Sequence, residues 1–188
     1  MPKTRCPWVG DDSLMKEYHD NEWGNPVHED EEWFEFLVLD TFQAGLSWKT
    51  ILHKRENFRA AFDDFDYEKI AQYDDAKVES LLLDAGIIRN RLKVLATISN
   101  AQAFVKLQKV EGSFNSFIWD FVGGKPIVNG WTSVADVPAT TTLSDQLSKT
   151  LKSRGFKFVG STICYAFMQA AGLVNDHLVS CFRHPQNR

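Results

Sequence analysis

The sequence predicts an all-α fold, on two observations. Apolar residues recur at helical intervals through most of the chain, best seen in Leu92, Leu95, Ala96, Ile98, Ala103, Phe104 and Leu107. The stretches that carry them open on Asp or Ser and several close on Gly, which are helix start and stop signals.

Taken in order, Asp12 or Ser13 caps a short helix through Leu14, Met15, Tyr18 and His19. The segment 29–42 is apolar on most sides after an acidic start, which predicts a deeply buried helix. Ser47 caps the next, directing Ile51, Leu52, Phe58 and Phe62 to the core. Asp66 and Asp75 start two short helices, with Gly86 as C-terminal cap of the second. A long amphipathic helix covers 89–110, and a short one covers 114–122 before Gly123 and Gly124. The stretch 125–142, with two Pro, a Gly and a Thr run, is mostly loop with room for one helical turn. Ser144 caps a helix to Arg154, residues 155–160 form a hairpin, and 161–171 is a last helix ending at Gly172.

A length of 188 residues suits a single domain, 1–188. Composition admits a hinge between two helical lobes only near 123–142, with a pocket between them. No apolar run reaches membrane-span length and no signal-peptide pattern opens the chain, so no membrane partner is expected. Three scattered cysteines make no disulfide framework and point to a reducing cytoplasm, with Cys164 packing as a small hydrophobe. A net charge of −4 argues against a nonspecific nucleic-acid coat, yet leaves room for a local basic face.

Four constellations carry candidate chemistry. Cys6, His19, His177 and Cys181 form a two-Cys, two-His set, a tetrahedral zinc complement. Four protein ligands leave no open position, so such a site holds structure and joins the two ends of the chain. The other reading is a pair of buried thiols with two ordinary histidines. Residues 155–160, preceded by Lys149, Lys152 and Arg154, make a glycine-bounded turn ahead of a helix N-terminus. That arrangement can grip a DNA phosphate without reading sequence, or can simply be a helix corner. Trp8, Tyr18, Trp23 and Trp48 can pack as core, or can wall a cavity where a planar, positively charged base would stack. Asp40 sits inside an apolar run and needs a partner or a ligand, unless it reaches solvent at the helix end. The turn after it carries Gln43 and Leu46, an apolar wedge able to fill the gap left by an extruded base.

Together, Tyr18-His-Asp-Asn-Glu-Trp-Gly24, Gln43-Ala-Gly-Leu-Ser-Trp48, Lys54-Arg-Glu-Asn57, Asp84-Ala-Gly-Ile-Ile-Arg89, Arg154-Gly-Phe-Lys-Phe-Val-Gly160 and Gly172-Leu-Val-Asn-Asp-His177 resemble the 3-methyladenine DNA glycosylase I family. The match runs in order from Cys6 to Cys181. It implies a helix–hairpin–helix glycosylase fold with structural Zn2+ on Cys6, His19, His177 and Cys181. It also implies a base pocket of Trp8, Tyr18, Trp23, Asp40 and Trp48, with Asp40 and Tyr18 as the catalytic candidates. Gln43, Gly45, Leu46, Gly155, Lys157 and Gly160 fall at its DNA-contacting positions. The expected partner is double-stranded DNA containing alkylated adenine, and the expected state is a monomer.

One departure stands out: Asp40 occupies a position where the family usually carries glutamate. Asp176, after the hairpin, adjoins a zinc candidate, so the resemblance gives it no catalytic role. A second class of function, binding of alkylated bases or damaged DNA without excision, is motivated by Asp40 and by the lack of an evident catalytic carboxylate. A zinc-dependent hydrolase is disfavoured by the four-ligand set.

Overall fold

The computed structural model describes residues 3–187. Among these, ten α-helices dominate and extended structure is limited to one pairing of two-residue strands. No helix of the described residues is long and apolar enough to cross a membrane.

Helix α1 (Ser13–Asn21) is capped by Asp12, whose carboxylate accepts the Met15 amide at 3.0 Å. Helix α2 (Asp30–Gln43) buries eight residues, from Trp33 to Phe42, as its all-round apolar pattern requires. The single helix expected after Ser47 is two, α3 (Trp48–Leu52) and α4 (Arg55–Ala61). The break turns Phe58 and Phe62 onto Phe42, at ring separations of 4.7 and 5.9 Å.

Three consecutive left-handed residues follow, Asp63, Asp64 and Phe65, with φ of 51°, 54° and 59°. Each costs about 1–2 kcal/mol outside glycine. Burial of Phe65 and a Tyr73–Asp63 hydrogen bond hold the segment in place.

Asp66 caps α5 (Tyr67–Ile70), and Asp74, one residue before the expected start, caps α6 (Asp75–Leu83). Gly86 does not cap α6, which ends at an extended Asp84. It sits where a Cβ would come within 3.1 Å of Asn57. Lys54 Nζ and Asn57 Nδ2 donate to its carbonyl at 3.0 and 3.2 Å, so the 54–57 and 84–89 motifs lock together.

Helix α7 (Arg91–Glu111) begins at an Asn90 cap and buries Ala96, Ile98, Ala103, Phe104 and Leu107 as expected, but departs from the expected face at two leucines near its start. Leu92 and Leu95 are 68% and 43% exposed, whereas Lys93, Thr97 and Asn100 are buried. Helix α8 (Phe114–Asp120) follows a Ser113 cap. Aromatic residues make up 13% of the chain, and many are core, with Phe104 stacked on Phe114 at 4.5 Å and Trp33 packed against Phe167 at 5.5 Å. Such pairs contribute about 0.5–1.5 kcal/mol each beyond area burial.

The stretch after α8 is mostly loop, as expected, with a helical turn at Val134–Asp136. It also contains strand β1 (Ile127–Val128), which pairs in parallel with β2 (Val174–Asn175). Helix α9 (Thr142–Ser153) is capped by Thr141 and not by Ser144. Ser144 Oγ instead accepts the Thr141 amide at 2.8 Å, completing a reciprocal capping box.

Helix α10 (Ser161–Ala170) ends before Gly172, whose φ is +74°. A Cβ there would lie 2.3 Å from the Asn25 backbone. Glycine thus admits the segment 24–27 against the end of α10, where Gly24 and Val27 amides donate to Ala170 and Ala171 carbonyls at 3.1 Å. This contact brings the first and last parts of the described chain together.

Candidate active site and metal centre

A cavity of about 420 Å³ opens between α1, the C-terminal half of α2, α3 and α10. Trp8, Tyr18, Trp23, Asp40, Gln43 and Trp48 all line it, so residues spread over forty positions converge on one chamber. The reading of these aromatics as ordinary core fails for the three indoles, which are only partly buried and face the space. Tyr18 leans on Trp48 with ring centroids 5.1 Å apart, and Trp8 meets Trp23 edge-on at 5.0 Å.

Two polar atoms in this wall are buried without a partner: Asp40 Oδ2 and Trp48 Nε1. Buried polar groups are normally satisfied, so a pair of orphans beside a cavity points to a ligand that satisfies them. Asp40 is 1% exposed, and burial pushes its carboxyl well above the usual carboxylate range. Tyr18 is shifted upward as well, first by burial and then by the neighbouring Asp40.

The Asp40 shift has a definite sign. A carboxyl whose folded pKa lies above its unfolded value of 3.8 binds more protons in the native state, so its stabilising effect is lost as pH rises through the folded pKa. Asp40→Asn copies the neutral form. Its melting temperature should match wild type near pH 4 and exceed it increasingly toward pH 8. A difference independent of pH would show that Asp40 ionises freely.

Asp176, to which sequence reading assigned no role, also lines the cavity. One oxygen accepts from Asn129 and Trp131 at 2.7 and 2.8 Å, the other from Tyr165 and Gln169 at 2.5 and 2.8 Å. Four donors occupy its two oxygens and fix its orientation. Gln169, Val134 and Val137 complete this side. Val134 and Val137 had no sequence signal, because the 130s loop reaches the cavity only through tertiary contacts.

The turn after α2 presents Gly45 at φ +77° and Leu46 at 39% exposure. Away from the cavity, the turn joining α9 to α10 buries Phe156 and Val159 and exposes Gly155, Lys157 and Phe158. Gly160 starts α10 without a side-chain cap, leaving that helix end available to an anion. The Lys157 amide is not available, since it donates to Asn100 Oδ1 at 2.7 Å.

Cys6, His19, His177 and Cys181 are all buried, and their donor atoms lie within 4.8 Å of one another. The cluster could hold a metal ion. His19 Nδ1 bonds Asp20 at 2.9 Å and His177 Nε2 donates to the Trp23 carbonyl at 3.1 Å. Each histidine therefore turns its other nitrogen toward the sulfurs, as metal-ligating histidines do. Burial lowers the pKa of His177 and favours the neutral imidazole that can ligate. Hydrogen bonds from Cys6 and both histidines draw Cys181 down toward thiolate. Cys164 lies outside the cluster, buried in the core with its thiol pushed up to about 12, mainly by burial.

The model of the methyladenine glycosylase family matches residues 8–184. The chain belongs to the methyladenine glycosylase family. Among individual relatives of this family, it is 51% identical to DNA-3-methyladenine glycosylase 1 of Escherichia coli K12, over 98% of each chain. A crystal structure of 3-methyladenine DNA glycosylase I superposes with a TM-score of 0.95 at 52% identity, covering 97% of this chain and 100% of the other. The Staphylococcus aureus enzyme, solved to explain 3-methyladenine recognition, gives a TM-score of 0.93 at 37% identity, with 96% of each chain covered. The methyladenine glycosylase match thus covers the cavity's aromatic wall and three of the four cluster residues, His19, His177 and Cys181.

Proposed function

We propose that the protein is a DNA repair glycosylase that extrudes 3-methyladenine from alkylated duplex DNA and hydrolyses its N-glycosidic bond, leaving an abasic site. The observation that carries this reading is the aromatic-walled cavity with orphaned Asp40 Oδ2 and Trp48 Nε1, in a chain of this family.

Methylation at N3 makes the base cationic, so it leaves as a neutral molecule and needs no strong general acid. Trp48 and Trp8 stack on the base, whose charge suits their ring quadrupoles. Asp40 and Tyr18 bond its polar edge, and Trp23 shapes the wall. Leu46, held out by the glycine turn, fills the space the base vacates. On the backbone side, the uncapped start of α10 at Gly160, the turn at Gly155 and the exposed Lys157 hold phosphate within a helix–hairpin–helix arrangement. Exposed Lys149 and Lys152 offset the acidic whole at that face.

Zinc fits the metal cluster. Across a tetrahedral zinc with ordinary bond lengths, a sulfur and a nitrogen lie roughly 3.6 Å apart. The Cys181–His19, Cys181–His177 and Cys6–His177 separations are 3.4, 3.6 and 3.8 Å. Such an ion, closed off by four protein ligands, would supply structure and no chemistry.

The test is incubation with methylated duplex DNA and detection of the bases set free. Release of 3-methyladenine under single-turnover conditions is expected. Tight binding to the alkylated duplex with no released base would instead identify a lesion-binding protein.

A further inference from the structure

We infer that Lys93 and Asn100 of α7 are positioning residues that fix the duplex-probing turn and the phosphate-holding turn relative to each other. The inference rests on the glycosylase reading above and extends it to residues outside the cavity.

Of the three buried polar side chains of α7, Thr97 bonds back to the Lys93 carbonyl of its own helix, whereas Lys93 and Asn100 lie seven positions apart on one face and so about 10.5 Å along the axis. Each leaves its own helix to hold a different loop. Lys93, 5% exposed, donates from Nζ to the Phe42 carbonyl at 2.8 Å and the Ala44 carbonyl at 2.5 Å. Those carbonyls flank Gln43, which lines the cavity, and the second immediately precedes Gly45 and Leu46. An ammonium at this point also suits the partial negative charge at the end of α2. Asn100, fully buried, grips the other turn from both sides. Its Oδ1 accepts the Lys157 amide at 2.7 Å, and its Nδ2 donates to the Lys157 carbonyl at 3.1 Å.

A buried lysine needs a reason. Burying an ammonium is costly, and desolvation lowers the pKa of Lys93. Here the fold leaves Leu92 and Leu95 of the same helix in solvent while it encloses Lys93 and Asn100. A purely apolar helix face would pack as well but would hold neither turn. The second turn also holds Phe158 at a left-handed +55°, costly for a residue other than glycine, so it does not follow from local preference alone. One rigid helix spanning both makes the wedge and the phosphate grip a single unit, so that seating the backbone sets where Leu46 enters the duplex.

The test compares the full-length wild type with Lys93→Met, Asn100→Ala and Leu46→Ala. Three quantities are measured: the saturating single-turnover rate on methylated duplex, the half-saturating DNA concentration, and affinity for free 3-methyladenine by tryptophan fluorescence. Misplacing a group remote from the chemistry by about 1 Å can cost about 100-fold. Lys93→Met should therefore lower the saturating rate about 10- to 100-fold while free-base affinity stays within about threefold. Asn100→Ala should instead raise the half-saturating concentration about tenfold and leave the saturating rate within about threefold. In a Leu46→Ala background, most of the Lys93→Met effect should vanish, because the two act through one contact.

The inference is overturned if Lys93→Met keeps its saturating rate and Asn100→Ala its half-saturating concentration within about threefold of wild type, or if free-base affinity falls in parallel with excision. The second result would mean simple damage to the cavity. If circular dichroism finds Lys93→Met unfolded, Asn100→Ala carries the same decision alone. Failure of the wild type to release 3-methyladenine would be a separate result, defeating the glycosylase reading itself.

Discussion

Cys181→Ser is expected to lower the melting temperature by at least about 8 °C. Cys181 is wholly buried and lies within 3.4–3.6 Å of both histidines. Bound zinc in small structural sites contributes about 10–16 kcal/mol in isolated peptides. A domain of this size is stable overall by only about 5–15 kcal/mol. Even a loss of about 4 kcal/mol would shift the transition by roughly 8–16 °C at this chain length. Exhaustive chelation of the wild type should reproduce the change. Cys164→Ser is the control, since that thiol is buried outside the cluster. Equal melting temperatures before and after chelation, with no metal found by elemental analysis, would remove the metal centre from the account.

Trp48→Ala is expected to weaken binding of free 3-methyladenine by about 5- to 150-fold, the range set by about 1–3 kcal/mol of stacking per base. Trp48 lines the chamber, rests against Tyr18 at 5.1 Å and leaves its indole N–H unpaired. The variant removes a stacking face and a donor together, so excision should fall at least as far as binding. Fluorescence titration with the free base and single-turnover excision measure the two. Unchanged affinity would reject Trp48 as a stacking wall. Because Trp48 sits at the first turn of α3 and is only partly buried, its loss should cost little stability.

The parts of this molecule that were legible in its sequence are those whose signal is chemical identity. Two Cys and two His in separated pairs mark a metal complement whatever their separation in the chain, and they do meet. The pocket aromatics were ambiguous by themselves and acquired meaning through the ordered motif series. Helix starts were legible where one Asp or Ser stood in place, at Ser47 and Asp66, and the choice between Asp12 and Ser13 resolves to Asp12. They slipped where two candidates competed, as at Thr141 and Ser144.

What stayed hidden depends on distant partners. Only the first turns of α7 were misjudged, because Leu92 and Leu95 fit its periodicity as well as Val94 and Ala101 do. Nothing local reveals that Lys93 will find two carbonyls some fifty residues away. Asp176 was hidden in the same way. Its four donors come from the 129–131 loop and from α10, which meet only in the folded chain.

Trp23 belongs to two structures at once. Its ring borders the chamber and its carbonyl accepts from His177 at 3.1 Å, while the rings of the two residues meet at 4.6 Å. An ion held by the cluster and a base held in the chamber would therefore meet at one shared residue. Linkage is reciprocal: whatever factor the ion adds to the grip on a purine, the purine adds to retention of the ion. A repair protein engaged with its lesion would then be harder to strip of metal than an idle one.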